Sequence, residues 1–462
     1  MSPLAQFLSI VIWTYFCSSE TIGIITLVAT QQELIRSLLL SWWTHYSLRY
    51  INDPSINKKT FKLTAFSIVL LSCLIQILFS TLLLFFIFGD LSIYFYLSSV
   101  AFIVFRTLSQ HFVTVASAEN DTLTYNVLSL TGPVFGLLLG VLLLSIFSDD
   151  PFYPIAAFAV SELIGLLYIA YKKNFVMKPV SINKFILNNA LKYASPLVIA
   201  GALSWLALNA ARYMVEDMLG LTAVGLFAIG FGLGQRAASM ASMVVTSAAL
   251  PLAIKVMNEQ GIKAAMIQLA DNFSLLLFVM LPALVGMYSV QNSLITLLVS
   301  TQFVNATLEV LPWAILSGAF FAIIYNFLNH YFILTEKTRL LVYVDGSLAL
   351  MVILFSYPLI NIYGIVGAVM SMCISSFVVI IILSAYLLFK TEFIFPSFFI
   401  FKCFLSSFLM YVIIKYVDYH NSSVFLDLLF NVFLGVVLYI SLMILLNYKV
   451  ALKFLRSRGL IE

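Results

Sequence analysis

Several charged side chains lie in the middle of segments whose other residues are strongly apolar. Arg36, Arg106 and Arg236 each occupy such a segment, and Glu33 and Glu162 lie in similar places. A charge at bilayer depth costs a few kcal/mol on insertion scales, and it is tolerated mainly where it faces a protein interior or a water-filled cavity. Because the arginines outnumber the acids, these residues predict a membrane cavity that receives an anion.

The composition is that of an integral membrane protein. Of the 462 residues, 62% are hydrophobic and only 10% are charged, and the mean hydropathy is +1.07. No soluble globular domain has this balance. The four cysteines and four histidines are dispersed without metal-ligand spacing, so we predict neither a metal nor a cofactor. The sequence has no GxxxxGK[ST] motif, so we predict no ATP motor in this chain, and it has no GxSxG or HExxH motif. We also predict that the protein is not an enzyme and binds no nucleic acid.

The apolar segments predict an all-α polytopic protein with about 14 transmembrane helices, since each crossing needs about 20 apolar residues. The first segment, 3–17, is the weakest. With the amino terminus in the cytoplasm, most of the 24 basic residues fall in cytoplasmic loops and in the carboxy-terminal tail, as the positive-inside rule requires. One extra or missing helix would invert every later loop. We therefore predict that both termini are cytoplasmic.

Two stretches indicate an internal repeat. The segment 19–37 parallels 221–239, with Gly23 opposite Gly225. Both copies start on the cytoplasmic side, so the halves would be related by an axis along the membrane normal, a plan that transporters often have. We predict two six-helix pseudo-repeats followed by two more helices. The predicted parts are an amino-terminal lobe at 1–175, a cytoplasmic linker at 176–193, a second lobe at 194–390, and two additional helices with a basic cytoplasmic tail at 391–462.

The charges in the first half have two interpretations each. Glu33 and Arg36 are three residues apart and share a helix face. We predict that they line the cavity, with a self-neutralising pair that aids insertion as the alternative. Arg106 has no acid within one turn of its own helix. We predict that Arg106 lines the cavity and binds a phosphate oxygen of the substrate, which suits guanidinium geometry. The alternative is a structural ion pair with Glu162, which lies at a similar depth.

The charges in the second half extend this set. Arg236 follows Gln235 and precedes a run of small residues, which allow close helix packing or a moving interface. We predict that Arg236 and Gln235 contact substrate. His330 and Asp345, together with Glu162, are candidates for ion coupling because such groups titrate in proton-coupled cycles. Interhelical hydrogen bonding is the alternative role for His330 and Asp345.

The stretch NAARYMVEDMLGLTAVGLFAIGFGLGQ, at 209–235, resembles an element of the polysaccharide flippases. These are the O-antigen and exopolysaccharide lipid-linked oligosaccharide transporters of the multidrug/oligosaccharidyl-lipid/polysaccharide exporter superfamily. In that family an Asp-Arg pair precedes a Leu-Gly turn and a Val-Gly run, and Arg212, Leu219–Gly220 and Val224–Gly225–Leu226 match it, whereas Ala211 replaces the Asp. The stretches IYGIVGAVMS, at 362–371, and ALPLAIKVMNEQG, at 249–261, are similar to further elements of the family.

Arg212 has two interpretations as well. Glu216 and Asp217 follow it at i+4 and i+5, which favours an ion pair at the outer interface. The alternative is that Arg212 belongs to an outer gate. The replacement of the family's Asp by Ala211 weakens the case for a functional pair at this position.

The resemblance implies a flippase of the bacterial inner membrane that moves an undecaprenyl-diphosphate-linked oligosaccharide repeat unit from the inner to the outer leaflet. Alternating access coupled to an ion gradient would drive it, with membrane lipids, a polysaccharide polymerase and a chain-length regulator as partners. Within the superfamily, the alternatives are a cation-coupled multidrug exporter, which would need acids for organic cations, and a lipid II flippase. A membrane-embedded polysaccharide polymerase is the alternative from another class, and it would be expected to have a sizeable extracytoplasmic loop with arginines.

Overall fold

The computed structural model describes residues 3–54, 56–89, 91–172, 180–337, 339–391, 393, 395–417 and 423–447. Every regular element in these ranges is helical, which confirms the predicted all-α class. The predicted basic tail after residue 447 and residues 176–179 of the predicted linker lie outside the described residues. The remainder of that linker leads into a helix that begins at Lys184.

The chain folds into two compact units. Unit 1 consists of Met1–Ala228 and Arg339–Met372, and unit 2 consists of Ile229–Thr338 and Cys373–Glu462. The lobes expected at 1–175 and 194–390 follow the sequence repeat and stay a prediction. The helices are α1 (Pro3–Phe16), α2 (Ser19–Leu39), α3 (Ser41–Tyr50), α4 (Lys58–Phe88), α5 (Ile93–Ala118), α6 (Thr122–Leu130), α7 (Gly136–Ile146), α8 (Phe152–Lys172), α9 (Lys184–Leu219), α10 (Leu221–Gln260), α11 (Ile262–Ser289), α12 (Gln291–Leu298), α13 (Thr301–Ile323), α14 (Asn329–Leu334), α15 (Arg339–Lys390), α16 (Ser397–Val417) and α17 (Val424–Leu446).

Twelve helical stretches in the described part of the chain are long and apolar enough to cross a membrane. Two of them join shorter helices through a π-helical turn, at Thr131–Phe135 between α6 and α7 and at Ile324–Leu328 between α13 and α14. The 52-residue α15 consists of two helices joined at Gly364, whose φ of +57° favours glycine. With the 14-residue α1, these stretches correspond to the predicted series of about 14 segments.

Polar side chains begin several of the helices in unit 1. The side chains of Ser18, Asn57, Ser92 and Asn183 accept hydrogen bonds from backbone N–H groups in the first turns of α2, α4, α5 and α9. These caps satisfy N–H groups that have no partner inside the helix. Each cap falls at the edge of an apolar run, so the caps set where the membrane helices of this unit begin.

Two glycines allow α2 and α10 to cross at backbone contact inside unit 1. A Cβ at Gly23 would overlap the carbonyl oxygen of Leu221, and a Cβ at Gly225 would overlap that of Ser19. The contact is reciprocal: in the parallel between 19–37 and 221–239, Ser19 corresponds to Leu221 and Gly23 to Gly225. A two-fold relation between two helices produces a self-complementary contact of this kind.

We expect the substitution Gly23→Ala to destabilise the protein by about 1–3 kcal/mol, because the added methyl group meets backbone that cannot rotate away. Thermal unfolding in detergent, followed by near-ultraviolet circular dichroism, measures the effect. Gly286→Ala in α11 is the matched control, since the nearest atom to its Cβ would be Cε of Met410 at 3.9 Å. Equal stability of the two variants would contradict the close crossing.

Unit 2 has its own close helix contact between α10 and α13. A Cβ at Gly230 would press on Val310, and one at Gly234 would press on Ala314. On the facing helix, Gly318 lies against Ala238. Small residues therefore allow α10 and α13 to pack closely, as the run of small residues on α10 predicts.

Candidate anion-binding cavity

A polar cavity of about 230 Å³ lies inside unit 1, between α2–α3 and α9. Its floor and walls combine charged, hydroxyl and apolar groups. The lining residues are Glu33, Arg36, Ser37, Ser41, His45, Leu197, Gly201, Ser204, Trp205, Leu208 and Asn209. A volume of this size is below the roughly 300–1,000 Å³ of pockets that enclose a drug-sized ligand. The cavity therefore suits a small charged headgroup.

The opposite face of α2 determines which residues reach this cavity. Val28 and Ile35 are fully buried in a core cluster with Ile103 of α5. Gln32 donates hydrogen bonds from its amide nitrogen to Thr107 Oγ1 at 3.0 Å and to Gln110 Oε1 at 3.2 Å. These contacts fix the rotation of α2 about its own axis. Glu33, Arg36 and Ser37 consequently face α9.

Arg36 is the positive centre of the cavity. Its Nε is buried and has no hydrogen-bond partner among the described residues. Glu33, on the same face of α2, attracts the guanidinium group, whereas Arg106 repels it. A buried N–H without a partner is costly in free energy. An anion in the cavity would supply the missing acceptor.

Arg212 is a second arginine near the cavity, although it is not one of the lining residues. Arg212 of α9 donates a hydrogen bond from a terminal nitrogen to Oδ1 of Asn209, which lines the cavity. The guanidinium group of Arg212 is also attracted by Glu33. Glu33 therefore interacts with two arginines. The roles considered for Arg212, an outer ion pair and an outer gate, stay predictions.

Asp345 reaches the same cavity through a serine. Oγ of Ser204 donates a hydrogen bond to Oδ2 of Asp345 at 2.7 Å, and Ser204 lines the cavity. Asp345 is itself buried, with 5% of its surface exposed. Asp345 therefore orients a hydroxyl group that lines the cavity. This contact joins α9 to α15 within unit 1.

His45 is a cavity residue that the sequence analysis missed. It lies on α3, one turn after Ser41, with its ring exposed to the cavity. Partial burial and, next, the positive charge of Arg36 lower the pKa of His45 below its usual value. The signal that would have found it is the i+4 spacing of Ser37, Ser41 and His45, which continues one face of α2 across the bend at Leu40.

The structure brings Arg106 and Glu162 together, as their depths suggested. A terminal nitrogen of Arg106 lies 2.6 Å from Oε1 of Glu162, and the two side chains are 22% and 2% exposed. The carboxylate fits directly against Gly132, where a Cβ would overlap it. Gly132 belongs to the π-helical turn Thr131–Phe135, a local feature that is frequent at functional sites. Neither Arg106 nor Glu162 lines the cavity around Arg36.

The remaining predicted residues lie in unit 2. Arg236 and Gln235 are half-buried on α10, where the backbone of Gln235 packs against Gly318. His330, on α14, is buried, and its Nδ1 has no hydrogen-bond partner among the described residues. These three residues are not part of the cavity in unit 1, and their substrate and coupling roles stay predictions.

No protein-family model and no curated protein sequence matches this chain. Among solved structures, the chain is similar to the lipid II flippase MurJ in an inward closed conformation, with a TM-score of 0.78, 16% identity, and coverage of 97% of this chain and 98% of that one. It is also similar to an inward-facing multidrug resistance MATE family transporter of the MOP superfamily, with a TM-score of 0.56, 14% identity, and coverage of 84% and 96%. A third match is a MOP superfamily transporter from Pyrococcus furiosus, with a TM-score of 0.53, 12% identity, and coverage of 84% and 91%. This chain therefore has the fold of these solved polytopic membrane proteins.

Proposed function

We propose that this protein is a flippase that moves an undecaprenyl-diphosphate-linked oligosaccharide from the inner to the outer leaflet of a bacterial inner membrane. The observation that carries the proposal is the cavity around Arg36, whose buried Nε has no partner among the described residues. Guanidinium groups bind phosphate oxygens bidentately, with hydrogen bonds stronger than those between neutral groups. A diphosphate would supply two such groups, while the polyprenyl chain stays in lipid.

The charge of the cavity also bears on the multidrug-exporter alternative. An exporter of organic cations needs a surplus of acid in its binding site, whereas the lining of this cavity has one acid, Glu33, beside the guanidinium group of Arg36. The likeness in fold points the same way, since the TM-score is 0.78 with the lipid II flippase and 0.56 with the multidrug transporter. We therefore favour a lipid-linked anion over an organic cation.

Lipid II is the second candidate substrate, because it also carries a polyprenyl diphosphate and because a solved structure similar to this chain is a lipid II flippase. The sequence elements at 209–235 and 362–371 instead resemble flippases of polysaccharide repeat units. Oligosaccharide repeat units are therefore the first candidate, with a polysaccharide polymerase and a chain-length regulator as proposed partners.

Coupling to an ion gradient completes the proposal. Asp345, through Ser204, is linked to the cavity, and Glu162 is held by Arg106. With His330, these residues are the candidates that would take up and release a proton or bind a cation as access alternates.

Deletion of the gene distinguishes the two candidate substrates, because each would accumulate only if this protein moves it. We expect the loss of surface polysaccharide and the accumulation of lipid-linked repeat units in the cytoplasmic leaflet, with the lipid II pool unchanged. Mass spectrometry of extracted polyprenyl diphosphates measures both. Accumulation of lipid II together with cell lysis would identify the second candidate, and unchanged levels of both lipids would overturn the proposed function.

We expect protonation of His45 to strengthen diphosphate binding at low pH relative to a variant that lacks this imidazole. His45 is neutral at pH 7 because its pKa lies below the usual value of about 6.5, and protonation at lower pH adds a positive charge beside Arg36. Isothermal titration of inorganic diphosphate into purified protein at pH 7.5 and 5.5 measures the effect. His45→Gln is the control, because the diphosphate takes up protons equally in both experiments and only the wild type has the imidazole. An equal change in affinity for the wild type and for His45→Gln would contradict this role of His45.

A further inference from the structure

The cavity around Arg36 is too small to hold the saccharide of the proposed substrate together with its diphosphate. Its volume of about 230 Å³ suits a charged headgroup, and an oligosaccharide must extend beyond it. A binding site for that extension rests on the proposed function.

The two walls of the cavity continue for one further turn. On α3 the lining ends at His45, and Arg49 follows on the same face at i+4, about 6 Å further along the helix axis. On α9 the lining ends at Leu197, and Tyr193 lies one turn before it on the same face. Arg49 and Tyr193 therefore continue the cavity at the same end.

Arg49 and Tyr193 meet across this extension. Cζ of Arg49 lies 5.1 Å from the centroid of the Tyr193 ring and 5.5 Å from that of Tyr50. The two tyrosine rings are nearly perpendicular, with centroids 5.9 Å apart. Arg49 is exposed and the two rings are half-buried. The cluster thus presents an accessible guanidinium group that is held over aromatic surface.

An inner layer of rings fixes this cluster in place. Tyr46 is 2% exposed, and its ring centroid lies 4.6 Å from that of Tyr50 and 6.4 Å from that of Tyr193. Trp43 is fully buried and packs on both Tyr46 and Phe61, with centroid distances of 5.5 Å in each case. Rigid aromatic side chains offer contact area at low entropic cost, so a ligand would find this surface already ordered.

We propose that Arg49, Tyr50 and Tyr193 form a saccharide subsite for the sugar residue next to the diphosphate. Sugar rings combine apolar C–H faces with hydroxyl groups, and acidic sugars add a carboxylate. The tyrosine rings offer an apolar surface with polar ends, and the guanidinium group offers several donors in a fixed fork. The subsite lies one helical turn beyond His45, so one ligand would occupy both the cavity and the subsite.

The proposal is tested with two probes that differ only in the sugar. Farnesyl diphosphate and farnesyl-diphosphate-linked N-acetylglucosamine are titrated into the full-length protein in phosphatidylcholine nanodiscs, which lack anionic headgroups. We expect the sugar to improve the affinity of the wild type about tenfold, and Tyr193→Leu and Arg49→Gln to remove most of that improvement. Tyr193→Phe keeps the ring and is expected to retain it. Arg36→Gln weakens the binding of both probes to a similar degree.

Tyr171→Leu is the control for an exposed tyrosine elsewhere in unit 1, since Tyr171 is 85% exposed and does not line the cavity. Thermal unfolding of each variant in the same nanodiscs establishes that it is folded, and Arg49→Gln, at an exposed residue, carries the test if Tyr193→Leu is unfolded. An unchanged ratio of the two affinities in Tyr193→Leu and Arg49→Gln would overturn the subsite. Diphosphate binding that depends on Arg36 without any gain from the sugar overturns the subsite alone, whereas the absence of diphosphate binding overturns the proposed function as well.

Discussion

Replacing Arg36 with glutamine is expected to abolish transport while leaving the fold intact. The substitution removes a guanidinium group whose Nε has no partner among the described residues, so the folded protein loses no internal hydrogen bond from that atom. The substrate instead loses two charge-assisted hydrogen bonds, each worth about 1.5–3 kcal/mol, so we expect a loss of at least about 100-fold in transport. Surface polysaccharide in a deletion strain, complemented at equal expression, measures the loss.

Two further variants sharpen this result. Arg36→Lys retains the charge but not the bidentate geometry, so an intermediate loss is expected. Arg339→Gln, at the start of α15 and outside the cavity lining, is the matched control and should transport normally. Normal surface polysaccharide in the Arg36→Gln strain would show that the cavity does not receive the substrate.

Glu162→Gln is expected to cost about 3–5 kcal/mol of stability, because breaking a buried ion pair on one side leaves the other charge uncompensated. Glu162 is 2% exposed and lies 2.6 Å from Arg106, so the acid of this ion pair is buried. The double variant Arg106→Gln/Glu162→Gln replaces both charges with amides that can hydrogen-bond to one another, so most of the lost stability should return. Thermal unfolding in detergent compares the three proteins.

The same double variant separates a structural role from ion coupling. A double variant that is stable and transports normally would assign the pair to structure, and one that is stable and does not transport would support the coupling role of Glu162. A single Glu162→Gln variant as stable as the wild type would contradict the buried pair itself.

Some of this arrangement is predictable from the sequence because burial of charge in lipid is so costly. Arg106 and Glu162 are isolated charges at similar depth, and each needs a partner that its own helix does not offer. The shared helix face of Glu33 and Arg36 likewise follows from their spacing alone. The pattern of apolar segments and basic loops predicts the series of helices for the same reason.

Other parts depend on tertiary contacts that no local pattern encodes. The attraction between Arg212 on α9 and Glu33 on α2 depends on how these two helices pack. Ser204 and Asp345 are 141 residues apart in the chain. His45 escaped notice because it follows the bend at Leu40, beyond the predicted membrane segment, although the spacing from Ser37 continues through that bend.

Translocation by the purified protein in liposomes tests the central claim most directly. A fluorescent undecaprenyl-diphosphate-linked disaccharide is placed in both leaflets, and a membrane-impermeant quencher reports its passage under an imposed proton or sodium gradient. We expect the wild-type protein to move the lipid under one of these gradients and Arg36→Gln to leave it in place. Equal translocation by the wild type and by Arg36→Gln, or no translocation by the wild type under either gradient, would contradict the account.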